Sequence, residues 1–277
     1  MNFNKHHKHY FYMNQAPKIL VAAPTYEGMK YCQDEFFNAI KSLEYSNYNI
    51  LIVDNSEKED YFNEIKKIDK LIVLRDNTDE KDKILRLISS RNKILDYAIE
   101  NDYDYILMMD SDVIPPKNII QELLLCDKDI VSGLYYNYFV VDGKTKWLPV
   151  AWTELSEEEF ENIKKMTNLP SFVKSRFDLR ARMTSEEANS NQLIKVFIPS
   201  AGCLLMNKSV FSKIRYGLLD VSKLTPDINT TDDIYFMTKA RESGFSSFCY
   251  TKIKCEHLVK GKYRKDSEGY YIHPMYH

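Results

Sequence analysis

The chain lacks the glycine-rich loops that bind phosphates. It holds 8 glycines in 277 residues, no G-x-G-x-x-G follows its first apolar run, and no P-loop occurs. A dinucleotide enzyme and a P-loop kinase are both disfavoured on that ground. Cysteine is sparse as well. Cys32, Cys126, Cys203, Cys249 and Cys255 are odd in number, scattered and never spaced C-x-x-C. Neither a zinc site nor a disulfide framework is expected, and a reducing, cytoplasmic setting is the simplest inference. No apolar run approaches the ~20 residues of a membrane span, and no signal peptide precedes Lys18, so at most a membrane-peripheral position is expected. A formal net charge of -2 gives no electrostatic case for a nucleic acid polymer as partner.

What is present is an ordinary soluble balance, 44% hydrophobic and 28% charged, which one α/β unit with an elaboration accommodates. Residues 1–17, with His6, His7 and His9, read as a solvated leader. Lys18 to Ala23 then reads as a buried strand, stopped at Pro24, and a helix is expected from Met29 to Tyr45. Asn49 to Val53 and Lys70 to Leu74 are further short apolar runs, each ending in polar residues. Ser56 is placed to cap a helix between them. A long helix is expected from about Asp82 to Asn101, with Ile84, Leu87, Ile88, Ile94, Leu95 and Ala98 at helical spacing. Strand and helix in strict alternation imply a doubly wound, mostly parallel α/β sheet. Residues 135–194 interrupt the alternation and read as an insertion of mixed structure, a possible acceptor region. Residues 259–277 form a basic, tyrosine-rich tail that could act as a lid.

The stretch around which the rest is arranged is Tyr105 to Asp112. An apolar strand ends on Asp110-Ser111-Asp112, and Pro115-Pro116 prevents its continuation. In open α/β sheets the ligand crevice lies at the carboxyl ends of the strands, so both carboxylates are expected to face it. Two hard oxygen ligands on one turn suit Mg²⁺ or Mn²⁺. The plainer alternative makes Asp110 a cap for the helix that follows.

Four segments in fixed order carry a family likeness across residues 18–258. They are Ala23-Pro24-Thr25-Tyr26-Glu27, Val53-Asp54-Asn55-Ser56, Ser90-Arg91-Asn92 through Asp110-Ser111-Asp112, and Asp232-Asp233-Ile234-Tyr235-Phe236 with Glu256-His257-Leu258 behind it. The chain resembles the GT-A fold glycosyltransferases, and within them the large inverting family 2. The resemblance implies a nucleotide-diphosphate sugar, on UDP or GDP, as donor. It implies a carbohydrate, lipid-linked or protein acceptor. Pro24, Thr25, Tyr26, Glu27, Asp54, Arg91, Asp110 and Ser111 are expected around the nucleotide. Asp110 and Asp112, joined by His257, are expected to hold the cation. An imidazole ligand favours Mn²⁺ over Mg²⁺. Arg91 has a plainer reading too, as an exposed helix arginine in a surface ion pair.

Asp233 is the expected base, because an inverting transfer needs a carboxylate to take the acceptor's proton. The pair Asp232-Asp233 stands where the family usually has Glu-Asp, and Asp232 can also be read as a helix cap. Gly202 resembles a small residue that admits the acceptor. Two other functions fit parts of the pattern. A sugar-phosphate nucleotidyltransferase shares the architecture, but calls for a glycine-rich basic loop where Pro24-Thr25-Tyr26-Glu27 stands. A non-catalytic nucleotide- or carbohydrate-binding module is opposed by the intact Asp110, Asp112 and Asp233.

Overall fold

The computed structural model describes residues 16–169, 173, 175–176, 179–219 and 231–260, and the backbone alone at 264–265 and 271–272. Most of the expected leader and tail therefore lies outside the described residues. In chain order the first elements are β1 (Ile19–Thr25), α1 (Gln33–Lys41), β2 (Tyr48–Asp54), α2 (Glu59–Ile65), β3 (Leu71–Arg75), α3 (Lys83–Glu100) and β4 (Tyr105–Met109). They are followed by β5 (Val113–Ile114), α4 (Ile119–Leu124) and β6 (Ile130–Leu134). The inserted part holds β7 (Tyr136–Val141), β8 (Lys144–Pro149), β9 (Trp152–Thr153), α5 (Glu157–Met166), β10 (Ala181–Arg182) and α6 (Ser185–Asn189). The chain returns through β11 (Leu193–Val196), β12 (Cys203–Asn207), α7 (Lys208–Phe211), α8 (Asp232–Glu242), β13 (Ser247–Lys254) and β14 (Glu256–His257). The described pieces of the tail are β15 (Arg264–Lys265) and β16 (Tyr271–Ile272).

The main sheet has the order β11-β13-β6-β12-β4-β1-β2-β3. Strands β3, β2, β1 and β4 pair in parallel, β12 runs antiparallel between β4 and β6, and β13 is parallel to β6. The expectation of a mostly parallel α/β sheet therefore holds. Period-two alternation divides the central strands between two cores, as a sheet covered on both faces requires. Ile19, Val21 and Leu107 face the core that contains Phe36, Phe37 and Ile40 of α1. Leu20, Ala22, Ile106 and Met108 face the other, with Ile94, Leu95 and Ala98 of α3.

Helix starts follow local chemistry in most places. Asp82 accepts from the Ile84 backbone N–H at 2.8 Å. Ser156 and Glu159 form a reciprocal capping box at α5. Two capping expectations fail. Ser56 does not cap α2, whose first residue follows Lys58; it turns back and donates to Asp54 instead, a local bond that competes with the helix. Thr231, not Asp232, caps α8, its hydroxyl accepting from Ile234 N–H.

Inside the insertion β7 and β8 form a hairpin, and β16 adds to the edge of β8 through Tyr271 opposite Thr145. The described backbone of the tail thus lies on the hairpin sheet. Among the described residues no helix is long and apolar enough to cross a membrane.

Candidate active site

The carboxyl ends of β1 and β4 and the start of α8 enclose a cavity of about 420 Å³, within the usual range for a small-molecule site. Of the residues singled out from the sequence, Pro24, Thr25, Tyr26, Arg91, Asp110, Ser111, Asp112, Asp232 and Asp233 line it. Glu27, Asp54 and His257 do not.

At the centre is Arg91, whose side chain is only 2% exposed. Its Nη1 donates to Asp232 at 2.6 Å and to Asp233 at 2.5 Å, and its Nη2 donates to Asp110 at 2.8 Å. The surface-pair reading of Arg91 is overturned: the α3 face that carries Ser90 and Arg91 is buried. The sequence points to both ends of this clamp but not to their meeting. Asp110 ends the fourth strand, whereas Asp232 and Asp233 begin a helix more than a hundred residues later. The capping reading of Asp110 fails with it, since α4 begins only after Asn118.

Three carboxylates share one guanidinium here, so full ionisation would leave two uncompensated negative charges. Burial pushes the Asp233 carboxyl up to about 7; Arg91 opposes the rise, and the charges of Asp232 and Asp110 add to it. Burial also raises Asp110, again against Arg91 and with Asp112 adding. The Arg91 guanidinium is held well above its ordinary value, because the pull of Asp233, Asp232 and Asp110 exceeds the cost of its burial. A helix start alone would favour an ionised Asp233. In this site burial and like charge outweigh that effect.

Asp112 lies on the other side of the same turn. The Val113 N–H bonds back to Asp110 O at 3.0 Å and closes it. The two-residue strand β14 pairs antiparallel with β5, setting His257 opposite Val113. Leu258 N–H donates to Asp112 O at 2.8 Å and fixes that register. His257 Nε2 consequently stands 3.5 Å from Asp112 Oδ2. The other ring nitrogen, Nδ1, is 3.0 Å from the Tyr136 carbonyl. A carbonyl only accepts, so Nδ1 carries the proton and the lone pair of neutral His257 is on Nε2, turned toward Asp112. Burial alone would lower the His257 pKa, but the Asp112 hydrogen bond and charge raise it overall.

Among the described residues no group of three or more His, Cys, Asp or Glu stands close enough to hold a metal ion. The structure brings Asp112 and His257 together, while Asp110 spends one oxygen on Arg91 and turns Oδ2 toward Gly202. A Cβ built on Gly202 would lie 2.7 Å from that oxygen and 3.1 Å from the Tyr135 hydroxyl. Gly202 is therefore needed to leave room for Asp110.

Asp54 is fully buried, with one oxygen taking Ser56 N–H and O–H at 3.1 and 2.5 Å and the other taking Arg75. It fixes the turn after β2, and its neighbour Asn55 is the residue that reaches the cavity. Asn55 in turn donates to Ser90 on α3 at 3.0 Å, and Ser90 donates to Asp76 at 2.9 Å. Sequence reasoning missed Asn55, Met29, Lys83 and Arg86. Ile84 and Leu87, singled out only for their helical spacing, line the cavity as well. The signal was there, because positions 83, 84, 87 and 91 share one helical face.

The profile of glycosyl transferase family 2 matches residues 21–215. Among solved structures, the crystal structure of GalNAc-T7 with UDP, GalNAc and Mn²⁺ is 12% identical with a TM-score of 0.56. That match covers 89% of this chain and 44% of the other. The mannosyltransferase PcManGT from Pyrobaculum calidifontis, in complex with GDP-Man and Mn²⁺, is 12% identical with a TM-score of 0.48. It covers 90% of this chain and 59% of that one. No curated protein matches. The fold is GT-A, and the chain belongs to glycosyl transferase family 2.

Proposed function

From that membership we propose a metal-dependent transfer of a sugar from a nucleotide-diphosphate donor to an acceptor hydroxyl, with inversion and with Asp233 as base. The observation that carries it is the Arg91 clamp, which gathers Asp110, Asp232 and Asp233 at the edge of one cavity beside Asp112. UDP and GDP are both admitted as the nucleotide, as are carbohydrate, lipid-linked and protein acceptors. Residues 18–258 are taken as the transferase domain, with 135–194 as the acceptor side. The five free cysteines fit a reducing, cytoplasmic setting.

Asp112 and His257 fit a cation site that substrate completes. They offer one hard oxygen and one imidazole lone pair, a set that suits Mn²⁺ better than Mg²⁺. Diphosphate oxygens and water would fill the remaining positions. A cation bound there would neutralise charge on the departing diphosphate.

The rest of the proposal concerns the chain's own groups. Arg91 holds Asp233 through Oδ1, which leaves Oδ2 to accept a proton. As the acceptor oxygen bonds to the sugar, its O–H proton passes to Asp233 and the nucleoside diphosphate leaves with the bonding pair. A carboxylate with a pKa of about 7 is well matched to this task near neutral pH. Asp232 is fixed by Arg91 and keeps the guanidinium oriented. Lys83 and Arg86 bring positive charge to the nucleotide side.

The test is single-turnover transfer, after a Mn²⁺-dependent thermal-shift screen of nucleotide sugars has identified the donor. Asp233→Asn should keep nucleotide affinity and lose ~10²–10⁴-fold in rate, and Asp232→Asn should lose less. A larger defect in Asp232→Asn reverses the assignment of the base. Full activity in both variants removes it.

A further inference from the structure

The connection from β1 to α1 serves two places. Pro24, Thr25, Tyr26 and Met29 line the donor cavity. Tyr31, two residues on, turns away from that wall and meets the chain just after β14. Its hydroxyl donates to the Leu258 carbonyl at 2.7 Å, across 227 residues of sequence. The same oxygen lies 3.4 Å from Asp112 Oδ2.

A tyrosine hydroxyl has one proton to give. The Leu258 carbonyl stands at a normal O–H···O distance and the Asp112 oxygen does not. The proton therefore belongs to Leu258, and Tyr31 turns a lone pair toward Asp112. His257 is arranged in the same way. Its Nδ1 gives a proton to the Tyr136 carbonyl at 3.0 Å, and its Nε2 presents a lone pair 3.5 Å from the same Asp112 oxygen. Asp112 Oδ2, His257 Nε2 and Tyr31 Oη thus face one another as three acceptors. Such a corner suits a cation, which needs acceptors and no donor.

The arrangement depends on ties at the ends of a very short strand. β14 has two residues and two pairing positions on β5, so the ladder alone holds it weakly. Leu258 adds a bond on each side of its own peptide. Its N–H donates to Asp112 O at 2.8 Å, and its carbonyl accepts from Tyr31. Next to Tyr31, the fully buried Cys32 places Sγ 3.4 Å from the Ser111 carbonyl and 3.3 Å from that of Met29. The pair Tyr31-Cys32 therefore touches the Asp110–Asp112 turn on one side and the residue after His257 on the other.

We infer that Tyr31 is a positioning residue for the cation site. By holding the Leu258 carbonyl it keeps β14 in register and His257 Nε2 against Asp112, with its own proton directed away from the metal-facing oxygen. The role rests on the cation site proposed above. It also joins that site to the connection that lines the donor cavity.

Tyr31→Phe removes the hydroxyl and keeps the ring; the residue is 38% exposed, so the change opens no cavity. In the metal-free protein, amide exchange at residues 256–258 should accelerate up to about tenfold, the range of one lost hydrogen bond, with residues 19–25 and 105–109 unchanged. Calorimetry with UDP and GDP then compares Mn²⁺ with Mg²⁺. Mn²⁺-dependent affinity should fall about tenfold, as for loss of a group that orients a metal ligand. Mg²⁺-dependent affinity should fall less, because imidazole contributes little to Mg²⁺ and the Asp112 oxygens remain. His257→Ala should shrink the same Mn²⁺ preference, and adding Tyr31→Phe to it should cost little more. A parent-like Mn²⁺ preference in Tyr31→Phe overturns the inference even where exchange accelerates, since the bond would then be structural only. Equal losses with the two metals, or losses that add fully to those of His257→Ala, overturn it as well. Absence of Mn²⁺-dependent binding in the parent would remove the cation site and the role of Tyr31 with it. A failure confined to the Tyr31→Phe comparison leaves the proposed function standing.

Discussion

Replacing Arg91 by Met removes the cation and keeps most of the side chain's apolar length. The loss is set by what remains. Asp232, 3% exposed, would be left as a buried carboxylate without its partner at 2.6 Å. Removing one partner of a buried ion pair costs about 3–5 kcal/mol, most of it from the charge left behind. Asp110 and Asp233, with side chains 32% and 26% exposed, reach water more readily and add less. The expected loss for Arg91→Met is thus about 3–5 kcal/mol, a large share of the ~5–15 kcal/mol that holds a domain together. At ~2–4 °C per kcal/mol, Tm should fall by roughly 6–20 °C. Asp232→Asn leaves Arg91 two carboxylates and should cost only about 1–2 kcal/mol, the range of one weakened charge-assisted hydrogen bond.

Urea unfolding of Arg91→Met, Asp232→Asn and the double variant measures these terms. The double variant should be more stable than the sum of the single losses predicts, because each removes part of the other's penalty. The pH dependence has a definite sign. Without Arg91 the folded-state pKa values of Asp110 and Asp233, both already raised by burial, rise further above the unfolded value of ~3.9. Stability is then retained below that value and lost as pH rises through the folded pKa values, so the gap to the parent should be smaller at pH 5 than at pH 8. A loss under 1 kcal/mol for Arg91→Met, or equal losses for Arg91→Met and Asp232→Asn, would refute the clamp as the organising contact.

Three further outcomes are expected. Asp112→Asn should abolish Mn²⁺-dependent binding of nucleoside diphosphates with the fold intact, read by calorimetry with and without the metal; parent-like binding of UDP and GDP removes Asp112 from the cation site. Gly202→Ala should displace Asp110, since the added carbon would sit 2.7 Å from its Oδ2; transfer should fall at least tenfold for a stability loss of ~1–3 kcal/mol, and unchanged turnover would show that Asp110 needs no such room. The acid limb of kcat/KM should lie near pH 7, with activity lost as pH falls, because Asp233 must be ionised to accept a proton and is pushed up to about 7; a limb near pH 4 would make burial irrelevant to the base.

The part of the site that could be read in the sequence is the part carried by one element at a time. Asp110 and Asp112 stand out because an apolar strand of the right length ends on them, and the strand is where it was expected. The start of α8 stands out for the same reason. His257 was found only through its family likeness. Its own element is two residues long, and its place depends on pairing with β5, an equally short strand. No periodicity can announce a strand of that length. Asp54 shows a different limit: its place after β2 is as expected, yet Arg75 and Ser56 claim both of its oxygens. Strand position fixes where a side chain starts and leaves open which neighbour takes it.

Arg91 carries the point furthest. On α3 it sits eight residues after Lys83, and the helical period gives both of them the same face. That face could point to solvent, to the nucleotide or to the protein interior, and the sequence offers no means of choosing. The choice depends on charge brought from elsewhere in the chain. Asp110 arrives through β4, Asp232 and Asp233 arrive through α8, and only β4 packs directly in the sheet that α3 covers. An arginine in such a place is buried because three carboxylates meet it, and the carboxylates tolerate burial because the arginine is there. Neither half is stable alone, so neither half can be recognised alone.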